Sequence, residues 1–356
     1  MKNKLKNFLR KDISDIKEYE ILESKGMIKL DAMENPFDID LKFESNSISE
    51  DKVNMNRYPD GGCKNLIKKL RDNHNLKSNF NILVGNGSDE LIQIICMAFF
   101  EKGNTVLCPQ PTFSMYKSIS DIVGLNFKTV PLENDFSLNI NEMLNNIEQT
   151  DPALIFLAYP NNPTANLWDK NNIKKIIERT NGLVVIDEAY GAFSGESFLD
   201  DIYEYENLAV MKTFSKVGLA GLRLGYLITE NSLIKELNKI RLPFNVNSIS
   251  QKIAELALDN KNYLDNQSRE IIGFRESLMK QMQEVEKIEV YNSRTNFILF
   301  KIKSGSADDI FNKLLKDNIL IKNMSNTDGL KNCLRVTVGT KKENNIFIQS
   351  LKNAFN

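Results

Sequence analysis

Residues 153–190 read "ALIFLAYPNNPTANLWDKNNIKKIIERTNGLVVIDEAY", and this stretch decides the fold class. "ALIFLA" and "GLVVID" are apolar at successive positions, not at alternate ones, as strands covered on both faces are. Between them, 169–180 carries an amphipathic helical pattern. Strand, helix, strand in this order argues for a parallel sheet with helices packed on its faces.

The same alternation extends outward. "NILVG", "TVLC" and "NFKTVPL" precede the stretch, "LAVMKTF" and "LGYLIT" follow it, and helical patterns fill 88–100, 111–122 and 139–148. A large α/β domain with a mostly parallel seven-stranded sheet is therefore expected, over 45–247. A helical region at about 248–284 leads into "NFILFKI", "SADDIFNKLLKDN", "ILIKN", "CLRVTVG" and a last helix. That order predicts a smaller α+β domain over 248–356, joined by residues 1–44 as an N-terminal arm. With 356 residues, the chain is too long for one small core. No repeat or Pro/Gly-rich linker separates the parts, so close packing is expected.

Composition excludes several functions. With 46 Lys+Arg against 47 Asp+Glu the net charge is -1, and no overall field draws nucleic acid or anionic lipid. The longest apolar run, "LIQIICMAFF" at 91–100, is half a membrane span. The basic N-terminus "MKNKLKNFLRKDISD" has no apolar segment and does not read as a signal peptide. Cys63, Cys96, Cys108 and Cys333 form no C-x-x-C pair and read as reduced, mostly buried thiols. A cytoplasmic protein is expected. His74 is the only histidine and lies in the polar run "RDNHN", most simply at the surface. Ser-His-Asp catalysis and His-rich metal sites are thereby set aside, and the chemistry falls to Lys, Asp, Tyr or a cofactor.

Ligands of open α/β sheets bind beyond the carboxyl ends of the strands. After "NILV" comes "GNGSDE", opening a helix whose free N–H groups favour an anion, although Ser88 reads more simply as an N-cap. After "ALIFLA" the turn "YPNNPTA" offers asparagine amides, or is a rigid turn and nothing more. After "GLVV" comes Asp187, which needs a cationic partner if buried. That partner is either Lys216, making a structural pair, or a protonated cofactor ring. In "TFSKVGLAGLRLG" (213–225), Lys216 and Arg223 stand among small and apolar residues. They are two ordinary loop charges, or a nucleophilic amine beside an anion-holding guanidinium. Taken together, the four turns supply what pyridoxal phosphate requires: an acid at the ring nitrogen, donors at the phenolic oxygen, a phosphate cradle and a lysine.

At this point the sequence resembles the fold-type I aminotransferases, within them the histidinol-phosphate aminotransferase branch. The blocks carrying the likeness span the chain: "IKLDAMENPF", "RYPDGG", "GNGSDELI", "PQPTFSMY", "YPNNPTA", "VVIDEAY", "TFSKVGLAGLRLGY", "PFNVNSISQ", "NFILF" and "NCLRVTVGT". The resemblance implies that Lys216 bonds to the cofactor aldehyde and later moves the substrate proton. It pairs Asp187 with the pyridinium nitrogen, and Asn162 and Tyr190 with the phenolic oxygen. Backbone groups at Ser88 and Asp89, the Ser215 hydroxyl and the Arg223 guanidinium would hold the phosphate, and Phe113 would stack on the ring. Arg335, Lys322, Tyr19 and Asn35 would bind substrate, and Tyr58 would reach into the partner subunit's site of a homodimer. The sequence departs from the family at Ala165 for Gly, Phe113 for Tyr and Lys322 for Arg, and in a Lys-to-Arg interval of seven where eight is common. The implied reaction passes an amino group between histidinol phosphate and 2-oxoglutarate. Rivals on the same cofactor are a broader aromatic aminotransferase, a threonine-phosphate decarboxylase and a cofactor-binding regulator.

Overall fold

All seven expected strands between residues 80 and 230 join one sheet. The computed structural model describes residues 8–10, 13, 22–38 and 55–355. A two-residue strand β1 (Ile28–Lys29) and helix α1 (Lys64–Asn73) come first. Then β2 (Phe80–Gly85), α2 (Gly87–Ala98), β3 (Thr105–Gln110), α3 (Ser114–Val123) and β4 (Asn126–Pro131) alternate. They are followed by α4 (Ile140–Thr150), β5 (Leu154–Ala158), α5 (Lys170–Arg179) and β6 (Leu183–Asp187). β7 (Leu208–Thr213) and β8 (Gly225–Glu230) complete the sheet, in the order β2-β8-β7-β6-β5-β3-β4. β8 alone runs antiparallel to its neighbours.

The continuous apolar runs have a direct cause. In β6, Leu183 and Val185 pack into the core on one face, Val184 and Ile186 into the core on the other. β5 divides the same way, with Leu154 and Phe156 against Ile155 and Leu157. Side chains alternate along a strand, so a sheet covered on both faces demands apolar residues at every position. β4, at the edge, buries only Val130 and ends at Pro131, where an edge tolerates the missing donor.

Beyond β8 the chain forms α6 (Asn231–Ile240), α7 (Ser248–Asp259) and α8 (Lys261–Gln283). The expected long helical region is thus two helices that meet at Asn260. A second sheet of order β12-β13-β10-β9 follows, made of β9 (Ile288–Val290), β10 (Phe297–Ile302), β12 (Lys322–Asn323) and β13 (Cys333–Thr337). It is backed by α9 (Ala307–Lys316) and α10 (Lys341–Asn353), the latter opened by a Thr340–Glu343 capping box. β1 pairs in parallel with β11 (Ile319–Leu320) as a separate two-stranded sheet, and Ile28 packs against the core of this second part of the chain. No helix among the described residues is long and apolar enough to cross a membrane. All four cysteines are free and buried.

Candidate active site

Parallel pairing brings three strand ends to one place. Ala158 closes β5, Asp187 closes β6 and Thr213 closes β7, and all three line a single pocket. Ala158 and Asp187 stand opposite each other in the ladder. Asp187 is 4% exposed. Its Oδ2 accepts from the Tyr116 hydroxyl at 2.7 Å and its Oδ1 from the Ala189 amide at 3.0 Å. Burial pushes this carboxyl up to about 6, although both hydrogen bonds pull it down. The acid is held by neutral donors and not by Lys216, so the structural-pair reading of Asp187 is not what the structure shows.

Lys216 lies in the excursion from β7 to β8. That loop closes on itself where the Phe214 amide donates to the Leu224 carbonyl at 3.0 Å. The Lys216 ammonium reaches the Ala32 carbonyl at 3.2 Å and lies 5.7 Å from the centre of the Tyr190 ring. Burial, and next the Arg335 guanidinium, lower its pKa to about 8. A surface lysine keeps its proton three units above neutrality; this one yields it far more easily.

At the other end of the excursion Arg223 takes a left-handed conformation (φ 50°). Its guanidinium turns back to the first turn of α2, where Nη2 pairs with Asp89 Oδ2 at 3.1 Å. The interval of seven residues thus delivers Arg223 to the "GNGSDE" turn. Two glycines make the approach possible. A Cβ on Gly225 would stand 2.7 Å from the Gly87 carbon and Ser88 nitrogen, and one on Gly87 (φ 79°) would stand 3.1 Å from Arg223 Nη2. The N-cap of α2 is Asn86, without a side-chain cap bond. Ser88 sits inside the first turn and is not the cap. Ser88, Ser215 and Arg223 all line the pocket.

Phe113, Asn162 and Tyr190 line the same pocket. Asn162 Nδ2 reaches the Tyr190 hydroxyl at 3.3 Å, while its Oδ1 accepts from Arg335 Nη1 at 2.6 Å. Arg335 thereby fixes which end of the amide faces the tyrosine. Its Nη2 donates to the Asp31 carbonyl at 3.1 Å, and the guanidinium lies 5.2 Å from the centre of the Phe297 ring. Lys322 stands directly opposite Arg335 in the β12–β13 ladder, so both side chains leave the same face.

Neither Arg335 nor Lys322 is itself among the pocket's lining residues, and two further candidates stand outside it. The Asn35 amide donates to Gln267 on α8 at 3.0 Å and Asn35 is not among the pocket's lining residues. Tyr58 is 81% exposed and stacked on Phe244 at 4.7 Å, away from this chain's own pocket. Tyr19 falls outside the described residues. His74 is half-buried, not a free surface residue: its Nε2 is 3.0 Å from the Tyr226 hydroxyl, and burial lowers its pKa to about 4. Sequence reading did not single out Met33, Thr213 or Tyr116. Met33 and Thr213 line the pocket and sit inside the quoted blocks "LDAMENP" and "TFSK". Tyr116 closes the quoted block "PQPTFSMY", at helical spacing among core residues, where nothing local marks its role.

A carboxylate, an amine, amide and phenol donors and a guanidinium converging at strand ends define a class. The chain belongs to the family described as Aminotransferase class I and II, which matches residues 25–351. Within it, the chain is 42% identical over 353 residues to histidinol-phosphate aminotransferase 2 of Nitrosococcus oceani, covering 99% of this chain and 98% of that one. It is 40% identical over 352 residues to the histidinol-phosphate aminotransferase of Vesicomyosocius okutanii, covering 99% of each. The fold is that of the crystallised histidinol-phosphate aminotransferase from Clostridium acetobutylicum, with a TM-score of 0.84 at 24% identity over 92% of this chain and 98% of that one.

Proposed function

We propose that the chain is a pyridoxal-phosphate-dependent aminotransferase that converts L-histidinol phosphate and 2-oxoglutarate to imidazole acetol phosphate and L-glutamate. The observation that carries the reading is the meeting of the Lys216 amine and the buried Asp187 carboxylate in one pocket, in a chain that matches histidinol-phosphate aminotransferases over nearly its whole length.

The residues present fit the cofactor. Asp187 is a buried acid facing the pocket with its pKa raised, and a ring N–H⁺ would supply the cation it lacks. The pocket wall formed by the first turn of α2, Ser215 and the Arg223 guanidinium packed over Gly87 suits a phosphate. When bound, pyridoxal phosphate supplies an aldehyde to attach the substrate amine and a ring that draws electrons from the substrate Cα.

Every other task falls to the chain. Asp187 would hold the ring nitrogen protonated. Asn162 and Tyr190 would donate to the phenolic oxygen, Phe113 would cover the ring face, and backbone groups at Ser88 and Asp89 with the Ser215 hydroxyl and the Arg223 guanidinium would retain the phosphate. Lys216 is the amine that would hold the cofactor aldehyde and, once free, would serve as the base for the substrate Cα proton. Its lowered pKa suits a base at neutral pH. Arg335, with Lys322 beside it on the same sheet face, anchors the anionic end of each substrate in turn. A guanidinium fork matches both phosphate and carboxylate. Asn35 and Tyr19 remain assigned to the substrate side.

We further assign residues 45–247 to the cofactor domain and 248–356, with the 1–44 arm, to the smaller one. The protein acts as a cytoplasmic homodimer in which Tyr58 completes the partner's site. The four free buried thiols support the reducing compartment, and the outward, exposed Tyr58 supports the shared site. Steady-state rates with histidinol phosphate, phenylalanine and threonine phosphate test the substrate. A preference for histidinol phosphate of at least tenfold in kcat/KM is expected. Preference for phenylalanine, or release of CO₂ from threonine phosphate, would overturn it.

A further inference from the structure

Tyr116 is wholly buried in α3 and touches two groups of the site at once. Its hydroxyl donates a hydrogen bond to Asp187 Oδ2 at 2.7 Å. Its ring stacks on Phe156 at 4.8 Å, with an interplanar angle of 11°, and meets Phe113 edge-on at 5.5 Å. The ring is therefore clamped between a core residue of β5 and the pocket wall, so the hydroxyl has one place to be. The Ala189 amide takes the other carboxylate oxygen. Two donors in fixed directions stop the carboxylate from turning about its own axis, and each oxygen keeps a lone pair. One of them is left for the pocket.

We propose that Tyr116 is a positioning residue of the reaction: by donating to Oδ2 it sets the plane of the Asp187 carboxylate and keeps it an acceptor toward the cofactor's ring nitrogen. This rests on the proposed use of pyridoxal phosphate. The charged and titratable groups around the pair are few. Asp89 on α2 and Glu188 beside Asp187 oppose its ionisation. Cys108 on β3 and Tyr190 face Tyr116, whose own pKa is driven well up by burial, and next by Asp187. The phenol therefore stays protonated and can act only as the donor to an ionised Asp187. Without that hydroxyl, Asp187 keeps one donor, the Ala189 amide, and its pKa moves further up.

The test is uptake of pyridoxal phosphate by the cofactor-free protein, followed by absorbance as a function of pH. The unaltered protein should bind less tightly as pH falls through about 6, where Asp187 gains its proton. In Tyr116→Phe, which keeps the ring and its packing, the midpoint should rise by about one pH unit, with roughly tenfold weaker binding at the acid end. The control is Phe156→Leu, which loosens the clamp but leaves the hydroxyl. It should lower thermal stability and leave the midpoint where it was. An unmoved midpoint in Tyr116→Phe, or an equal shift in Phe156→Leu, overturns the role of Tyr116. A protein that takes up no pyridoxal phosphate at any pH overturns the functional reading, and this role with it.

Discussion

In the proposed reaction two charged residues, Lys216 and Asp187, carry the chemistry, and burial shifts their pKa values in opposite directions. Burial draws Lys216 down to about 8, so below that pH the amine is mostly protonated and cannot attack an aldehyde. The rate at which the cofactor-free protein forms its covalent bond to pyridoxal phosphate should therefore climb as pH rises toward 8 and level above it. A stopped-flow absorbance series gives this directly, and a rate flat between pH 6 and 9 would contradict the lowered value. Asp187 moves the other way. Its folded pKa of about 6 exceeds the ordinary 3.8, so the folded state binds this proton more tightly than the unfolded one. Ionisation above about pH 6 thus costs stability, and the cost vanishes below about pH 4. Asp187→Asn should stabilise the cofactor-free protein at pH 7 by about 1–3 kcal/mol while lowering turnover on the order of 10²-fold. Denaturant melts at pH 7 and pH 4 check the first; steady-state rates check the second. A variant less stable than its parent at pH 7 would mean that the buried charge is not the burden described.

The elements explain why these side chains meet. β5, β6 and β7 run parallel and in register, so their carboxyl ends offer Ala158, Asp187 and Thr213 to one pocket. The β7–β8 excursion carries Lys216 and Arg223 out and back, and its return rests on the close contact of Gly225 with the start of α2. Gly225→Ala should cost about 1–3 kcal/mol by overpacking and weaken phosphate retention more than ring binding. Pyridoxal and pyridoxal phosphate titrations should show this as a loss confined to the phosphorylated form; equal losses would remove the cradle from that contact. The seven strands were legible because burial on both faces writes itself as unbroken apolar runs. "YPNNPTA", "IDEAY" and "TFSK" were legible because polar residues at strand ends interrupt those runs. Tyr116 was not, since a buried tyrosine at helical spacing looks like core until its hydroxyl is found 71 positions away in sequence. His74 was misread for the same reason, its partner Tyr226 lying 152 positions on. The short β9 and the break at Asn260 carried too little local pattern to be seen.

The whole molecule sets a small antiparallel sheet, carrying Arg335 and Lys322, beside the pocket that the large sheet builds. Arg335 joins the two by its bond to Asn162. If Tyr58 serves the partner's site, mixing Tyr58→Phe protein with Lys216→Ala protein should yield hybrids in which one site has both defects and the other has neither. Activity above that of either variant alone is expected, given a clearly impaired Tyr58→Phe; no gain on mixing, or a fully active monomer in sedimentation, would refute the shared site. The most direct test of the account is a single half-reaction. Cofactor-loaded protein is mixed with L-histidinol phosphate alone, and the absorbance of the cofactor is followed. One equivalent of the aldehyde form should convert to the amine form, 2-oxoglutarate should restore it with release of glutamate, and Lys216→Ala should do neither. A spectrum unchanged by histidinol phosphate, or full conversion in Lys216→Ala, would contradict it.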